Sequence, residues 1–248
     1  SSGGPWITPE FAMQMLTWSE TTVKGGEKLT LTLKEPEKRA GYYNDIAVLA
    51  VKIPAGGDKA RVDNIRPKDF FERGGDWLGL QVKGTVSEGG SSEGAIPQND
   101  VIVLKCAADG KLIWDAPTGD WLLFRMGHTP TGTVNAPAPK SGEGLECDKL
   151  SREAIELHWQ KGIAPLLTDL GPDLVGKVLN NALIDSYEVG SQNWTPKLRE
   201  AFTAQHGYDP LPWMPVVTGR VIASPEQSER FLWDWRRTIA DLFAKNYI

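Results

Sequence analysis

Strand-like patterns of apolar and polar residues dominate the first half of the chain. Residues 29–33 alternate apolar and polar side chains, and residues 46–51 and 101–106 are mostly apolar runs of the length of buried strands. Clusters of Gly, Pro and Asp separate these segments, as turns between strands do. The pattern predicts an all-β module over residues 21–115, and a further apolar run predicts one more strand at residues 121–126.

Helix signals are found at both ends of the chain. Thr8 and Pro9 have the residue types of an N-cap and a first helical position, and apolar residues follow at helical spacing. This spacing predicts a helix over residues 9–19. Near the other end, Ser224 opens a capping box ahead of a long amphipathic stretch, which predicts a final helix.

Strands and helices alternate in the second half of the chain. Ser151 is a candidate N-cap, residues 182–188 have the composition of a buried strand, and a helix that starts near Pro196 is predicted to end at Gly207. Such alternation favours a parallel sheet. The predicted fold is therefore α/β, a partial (β/α) barrel interrupted by an inserted antiparallel β-sandwich.

Three segments make up this predicted architecture. Residues 1–20 are expected to be a barrel segment, with a helix after a missing strand. Residues 21–115 are the inserted β-sandwich module, and residues 116–248 are barrel βα units that carry the active-site loops. In such barrels the chemistry takes place where strands end and βα loops begin.

Composition and charge narrow the function classes. With 27 basic and 32 acidic residues the net charge is −5, and no stretch concentrates Lys and Arg, so we expect no nucleic-acid partner. The longest apolar run is too short to span a membrane, and we expect the complete protein to be periplasmic or secreted. Ten Trp residues against five Tyr and seven Phe suggest stacking on sugar rings, although Trp also fills large cores.

Two segments carry candidate catalytic carboxylates. Glu188 ends the predicted strand, and the loop after it carries amide and indole groups that hold sugar hydroxyls and ring faces. Glu146 and Asp148 lie just before a predicted helix, whose N-terminal dipole favours ionised carboxylates. The structural alternatives are a solvated strand end for Glu188 and helix capping for Asp148. Because glycoside hydrolysis uses two carboxyl groups, Glu146 and Glu188 are the hypothesised catalytic pair.

Other candidate chemistry is sparser. His128 follows a predicted strand and is a candidate for hydrogen bonding to a sugar hydroxyl, whereas His158 and His206 lie at helical positions that suggest structural roles. No arrangement of Ser, Cys and His in a matching turn supports nucleophilic hydrolysis of esters or peptides.

Seven long segments, spread over the whole chain, form a specific ordered set: GGPWITPEFAMQMLTWSE, YYNDIAVLAV, GDWLLFRMGHTPTG, GEGLECDKLS, IDSYEVGSQNWT, HGYDPLPWMPVVTGR and SERFLWDWRRTIADL. These segments resemble those of bacterial α-L-rhamnosidases of glycoside hydrolase family 106. The resemblance implies a longer protein with a catalytic α/β barrel and appended β domains, which hydrolyses a rhamnose-containing carbohydrate with inversion and uses a calcium ion that touches the sugar.

The resemblance also implies roles for single residues. Glu146 and Glu188 fall in active-site segments of the family, and which is acid and which is base stays open, although the strand end beside Trp194 favours Glu188 as the desolvated, protonated acid. Glu20 is the candidate calcium ligand. The residues expected to bind substrate are His128, Asp148, Asn193, Trp194 and Trp6.

Two alternative functions are compatible with the same residues. A non-catalytic carbohydrate-binding module would need the Trp, Asn and Gln residues but no paired carboxylates. An inactive fragment of a rhamnosidase would have neither activity nor a complete fold. Two carboxylates in one Trp-lined cleft, roughly 6.5 to 9.5 Å apart, would favour an inverting hydrolase over both.

Overall fold

The computed structural model describes residues 2–69, 92–181, 183 and 188–247. Its centre is a four-stranded antiparallel sheet in the order β1-β6-β3-β4, and a two-stranded antiparallel ribbon pairs β2 with β5. The strands are β1 (Gln14–Lys24), β2 (Lys28–Thr32), β3 (Asn44–Lys52), β4 (Val101–Leu104), β5 (Lys111–Asp115) and β6 (Asp120–Pro130).

Both faces of the sheet are covered, and the central strand β6 shows this most clearly. On one face, Leu123 and its neighbours on β3 pack against Leu33 and against Leu112 of the ribbon. On the other, Phe124 packs in a larger core with Phe202 and aromatic residues of the C-terminal helix. A strand buried on both faces needs apolar side chains at consecutive positions, which explains the continuous apolar run in β6.

Helices form the layer beyond the second face of the sheet. The α-helices are α1 (Ile65–Asp69), α2 (Arg152–His158), α3 (Ala164–Leu170), α4 (Leu198–His206) and α5 (Pro225–Tyr247). A π-helical turn (Trp159–Ile163) joins α2 to α3, and the 3-10 turns are Pro9–Phe11, Gln98–Asp100, Lys140–Gly142 and Leu211–Thr218. No described helix has the length and apolar character needed to cross a membrane.

The predicted helix over residues 9–19 is wrong. Residues 9–11 form one 3-10 turn, and β1 begins at Gln14. The buried side chains here are Ala12, Met13, Gln14 and Leu16, whereas the residues with helical spacing are only partly buried. Pairing of β1 with β6 along its whole length stabilises the extended backbone, and this distant partner overrides the local helix signal.

The expected separation of a β-sandwich at residues 21–115 is also contradicted. Strand β1 crosses the boundary between residues 20 and 21, and β6, from the third predicted segment, is hydrogen-bonded to both β1 and β3. One continuous sheet therefore joins all three segments, because β6 supplies the apolar centre that the flanking strands need. Every pair of described strands is antiparallel, so the parallel sheet and the barrel stay predictions.

Several local predictions are confirmed. Strands occupy residues 29–32, 46–51, 101–104 and 121–126, as the apolar patterns indicated. Ser151 caps α2 by accepting a hydrogen bond from the Ala154 backbone, and Ser224 accepts one from Gln227 at the start of α5. The predicted strand at residues 182–188 lies outside the described residues except for Leu183 and Glu188, which are both exposed.

Gly207 ends α4 in the left-handed conformation, with φ of 77° and open space where a Cβ would lie. Gly207→Ala therefore introduces backbone strain without a clash, and we expect it to lower the free energy of unfolding by about 1 kcal/mol. Gly207→Asn should lose less, because Asn tolerates this conformation. Urea unfolding of both variants measures the difference, and equal losses would contradict the strain argument.

Candidate functional site

The segment that carries Glu146 is buried against the beginning of the chain. Glu146 forms a β-bridge with Gly3, and its carbonyl oxygen accepts a hydrogen bond of 2.9 Å from the Met13 amide. Gly144 makes this approach possible, because a Cβ there would lie 2.1 Å from the carbonyl oxygen of Gly4. The loop is thus held in place by backbone contacts to residues far away in sequence.

Glu146 and Lys149 form a buried ion pair. The Lys149 Nζ lies 2.7 Å from Glu146 Oε2, and the two side chains are 2% and 0% exposed. The same carboxylate oxygen accepts a hydrogen bond of 3.1 Å from the Ser2 backbone amide. A carboxylate in this position is stabilised by one full positive charge and one amide dipole.

Asp148 lies next to this pair and is 1% exposed. Its Oδ1 accepts hydrogen bonds from Gln192 Nε2 at 2.5 Å and from the Leu150 amide at 2.9 Å, and its Oδ2 accepts one from Thr195 Oγ1 at 2.7 Å. Burial raises the pKa of Asp148 to about 6, although these hydrogen bonds and Lys149 favour the ionised form. Asp148 joins the loop of Glu146 to the loop at residues 192–195, so its oxygens are engaged within the protein.

A depression of about 170 Å³ opens over Asp148. It contains three carboxyl groups, from Glu10, Asp148 and Glu153, and one ammonium, from Lys197. Lys197 forms an ion pair with Glu153, and its hydrogen bond lowers the pKa of the Glu153 carboxyl. The depression is therefore acidic overall, and hydroxyl-rich neutral molecules suit it better than anions.

The loop residues expected to bind sugar are instead buried. The Asn193 side chain accepts a hydrogen bond of 2.8 Å from the Leu16 amide and donates one of 3.1 Å to Asp69. Trp194 is 4% exposed and stacks on Trp235 with ring centroids 6.2 Å apart. Both side chains have structural contacts here. The Trp194 ring packs in the core on one face of the sheet, and the Asn193 side chain satisfies the backbone amide of Leu16 near the start of β1.

His128 is likewise buried, at 3% exposure, and does not line the depression. Gln14 Nε2 donates to the carbonyl oxygens of Pro9 and Ala12, so Gln14 Oε1 is the acceptor of a hydrogen bond of 2.9 Å from His128 Nδ1. Burial lowers the pKa of His128 to about 4, so the ring is neutral at pH 7. Its Nδ1 is engaged in a hydrogen bond within the protein, and its contact with a sugar hydroxyl stays a prediction.

Trp6 is half-buried and contacts His158, for which a structural role was predicted. Its Nε1 donates a hydrogen bond of 3.3 Å to His158 Nδ1. Its ring packs so closely on Gly162 that a Cβ there would lie 2.6 Å from Trp6. The electrostatic influence of Glu146 and Lys149 on His158 places this histidine near the buried pair, and burial lowers its pKa.

Glu188 is exposed, which contradicts the expectation of a desolvated carboxyl group. It follows residues 184–187, which lie outside the described part of the chain, and it is not part of a strand. Of the two predicted catalytic residues, the buried one is Glu146. The pairing of Glu188 with Glu146 stays a prediction.

Asp148 makes the stability of the protein depend on pH. Its folded pKa of about 6 exceeds the ordinary value of 3.8, so the folded state binds a proton more tightly than the unfolded chain. Its contribution to stability is full below about pH 4 and falls by about 3 kcal/mol as the pH rises through 6. Urea unfolding from pH 4 to 7 measures this. The fall should be smaller in Asp148→Asn, and equal pH dependence in both proteins would contradict the shifted pKa.

The family model described as alpha-L-rhamnosidase of glycoside hydrolase family 106 matches residues 1–73 and 40–248. The chain belongs to glycoside hydrolase family 106. This confirms the resemblance of its sequence segments to that family.

This family 106 chain is similar to part of each of two longer proteins. A protein of Formosa agariphila, named provisionally as a beta-glucuronidase, is 45% identical over 100% of this chain. The chain spans 21% of the length of that relative. A rhamnosidase of Novosphingobium sp. PP1Y has a similar structure, with a TM-score of 0.78 and 26% identity over 99% of this chain and 36% of the other.

The calcium ion that the family resemblance implies does not fit the residues around Glu20. Arg220 binds both carboxylate oxygens of Glu20, at 3.1 and 2.8 Å, and also binds Asp58 at 2.7 Å. A guanidinium satisfies these oxygens and repels a cation. Within residues 2–69, 92–181, 183 and 188–247, no group of three His, Cys, Asp or Glu side chains could hold a metal ion.

Sequence reasoning missed Lys149, which pairs with Glu146, and His158, which contacts Trp6. Lys149 stands three positions after Glu146, but these residues are not in a helix, so the spacing alone does not predict their contact. His158 gave no signal, since its hydrogen-bond partner Trp6 is 152 positions away.

Proposed function

We propose that the complete protein hydrolyses terminal α-L-rhamnosides of glycans or plant glycosides with inversion of configuration. The observation that carries this proposal is the match of the rhamnosidase family model, in two overlapping ranges, to the whole of the chain. The similar fold of a rhamnosidase supports it. We further propose that the protein is periplasmic or secreted, where such carbohydrates are met.

Two carboxyl groups would perform the reaction. Glu146, ionised beside Lys149, takes a proton from a water molecule as the water oxygen attacks the anomeric carbon. Glu188 donates a proton to the glycosidic oxygen as the bond to the anomeric carbon breaks. The products are a free alcohol and rhamnose of inverted configuration. No step in this scheme uses calcium.

The depression over Asp148 is lined by neither Glu146 nor Glu188, and it supports the proposal only as a candidate sugar subsite beside the loop of Glu146, where its charge favours a neutral sugar. Three carboxyl groups against one paired ammonium would repel the carboxylate of a uronic acid. Rhamnose carries no charge, and its hydroxyls can both donate and accept hydrogen bonds. Hydrolysis of glucuronides is the second candidate, because the 45% identical relative carries the name beta-glucuronidase.

Assays on matched aryl glycosides test the proposal. The complete protein should release the phenol from aryl α-L-rhamnoside at least about 10²-fold faster than from aryl β-D-glucuronide, as expected when a charged substrate enters a like-charged site. Proton NMR should show the inverted anomer as the first-formed sugar. The reverse preference would favour a glucuronidase, and retention would exclude the inverting scheme.

Binding without turnover is the remaining outcome of these assays. A protein that binds rhamnose but releases no phenol from either substrate would be a carbohydrate-binding module or an inactive relative. Calorimetric titration with rhamnose separates it from a protein that does not recognise the sugar.

A further inference from the structure

Lys149 has an environment unlike that of an ordinary surface lysine. Its ammonium lies within 3.4 Å of the Cys147 carbonyl oxygen and 3.6 Å of Met13 Sδ, besides its contact with Glu146. The Tyr247 ring lies 5.9 Å from Nζ, so the last turn of α5 closes over the pair. Contacts on several sides therefore hold the flexible side chain in one place.

Stability alone is a poor explanation of a buried ion pair. Removing two charges from water carries a penalty that their attraction offsets only with good geometry, and apolar replacements are often neutral or stabilising. Chemistry gives a reason to retain the pair. A carboxylate isolated in a low-dielectric site takes up a proton, whereas one beside an ammonium stays ionised.

The backbone of Lys149 adds a second link. Its amide donates a hydrogen bond of 3.1 Å to Gln192 Oε1, and Gln192 Nε2 in turn binds Asp148. Lys149 is thus attached to Glu146 through its ammonium and to the loop that follows Glu188 through its backbone amide. A lysine on a mobile loop would not hold the carboxylate oxygen at a constant distance.

We propose that Lys149 is the positioning residue of Glu146. Its ammonium keeps the carboxylate ionised and holds it in the orientation in which Glu146 accepts a proton from water. Lys149 transfers no proton itself and does not contact the substrate. This inference rests on the proposed function, in which Glu146 is the general base.

Other titratable groups near the ion pair of Glu146 and Lys149 also affect the pH dependence. Asp148 has a pKa of about 6, burial raises the pKa of Cys147 to about 12, and burial lowers the pKa of His158. The Tyr247 ring faces the ammonium. Because Asp148 titrates within the working range, the pH profiles are measured both in the native protein and in an Asp148→Asn background.

Lys149→Met removes the charge and leaves an unbranched apolar side chain of similar length. In the complete protein we expect kcat/KM for an aryl rhamnoside at pH 6 to fall about 10- to 100-fold, with the acidic limb of the pH profile moved one to two pH units upward. The rate should recover partly at pH 8 to 9, where the carboxylate ionises again. Lys149→Arg keeps the charge and should preserve the position of the acidic limb.

The matched control is Lys38→Met. Lys38 pairs with Glu35 at 2.6 Å with the same spacing of three residues, but both side chains are nearly half exposed. This exposed pair should leave the pH profile unchanged. Lys149→Gln provides a second neutral variant if Lys149→Met does not fold, and circular dichroism checks both.

The outcomes separate this inference from the proposed function. An inactive native protein would contradict the proposed function itself. With an active native protein, a Lys149→Met or Lys149→Gln profile that keeps its acidic limb, even at a lower rate, would show a merely structural lysine and overturn the inference. Lys149→Met should also cost little further rate when Glu146 is already Gln, because the base that it positions is absent.

Discussion

Glu146→Gln is expected to slow the hydrolysis of every rhamnoside by about 10²- to 10⁴-fold, whatever the leaving group. The amide keeps the size of the side chain but cannot take a proton from water, and water must be activated for each substrate. Initial rates on natural and activated aryl rhamnosides measure the loss. Sodium azide should restore part of the rate, because it attacks without needing a base.

Stability has to be followed in the same experiment. Glu146→Gln leaves the Lys149 ammonium buried without its carboxylate at 2.7 Å, which can destabilise the fold. Glu35→Gln is the matched control, since it removes an exposed partner of a lysine three residues away. A folded Glu146→Gln protein with the native rate would show that the base lies elsewhere.

Glu188→Gln is expected to act differently, by a factor that depends on the leaving group. Hydrolysis of natural glycosides with poor leaving groups should fall about 10²- to 10⁴-fold if Glu188 is the general acid. Activated aryl rhamnosides should lose much less, because their phenolate leaves without a proton. The slope of log kcat/KM against leaving-group pKa measures this difference.

Because Glu188 is exposed, its replacement separates an effect on catalysis from an effect on stability. An exposed Glu→Gln change normally alters the free energy of unfolding by less than about 0.5 kcal/mol, so a large loss of rate reports chemistry and not misfolding. Undiminished rates on natural glycosides would remove Glu188 from the mechanism. A leaving-group dependence in Asp148→Asn instead would point to the buried carboxyl group with the pKa of about 6 as the acid.

The sequence by itself determined the features whose causes are local. Ser151 and Ser224 cap helices because a hydroxyl reaches an amide three residues away. The apolar runs at residues 46–51 and 121–126 form strands because side chains of this kind need cover on both faces. The family could also be identified from sequence, since long ordered segments are more specific than any single motif.

Only the tertiary structure decided the features whose partners are distant in sequence. Residues 14–24 form strand β1, and not the predicted helix, because they pair with β6, which lies about 100 residues later in the sequence. Trp194 and His128 became core residues because the sheet and α5 enclose them, which no local pattern indicates. Glu146 likewise accepts a hydrogen bond from Ser2, which is 144 positions away. Short-range rules describe caps and periodicity, whereas burial and charge pairing depend on which distant segments meet.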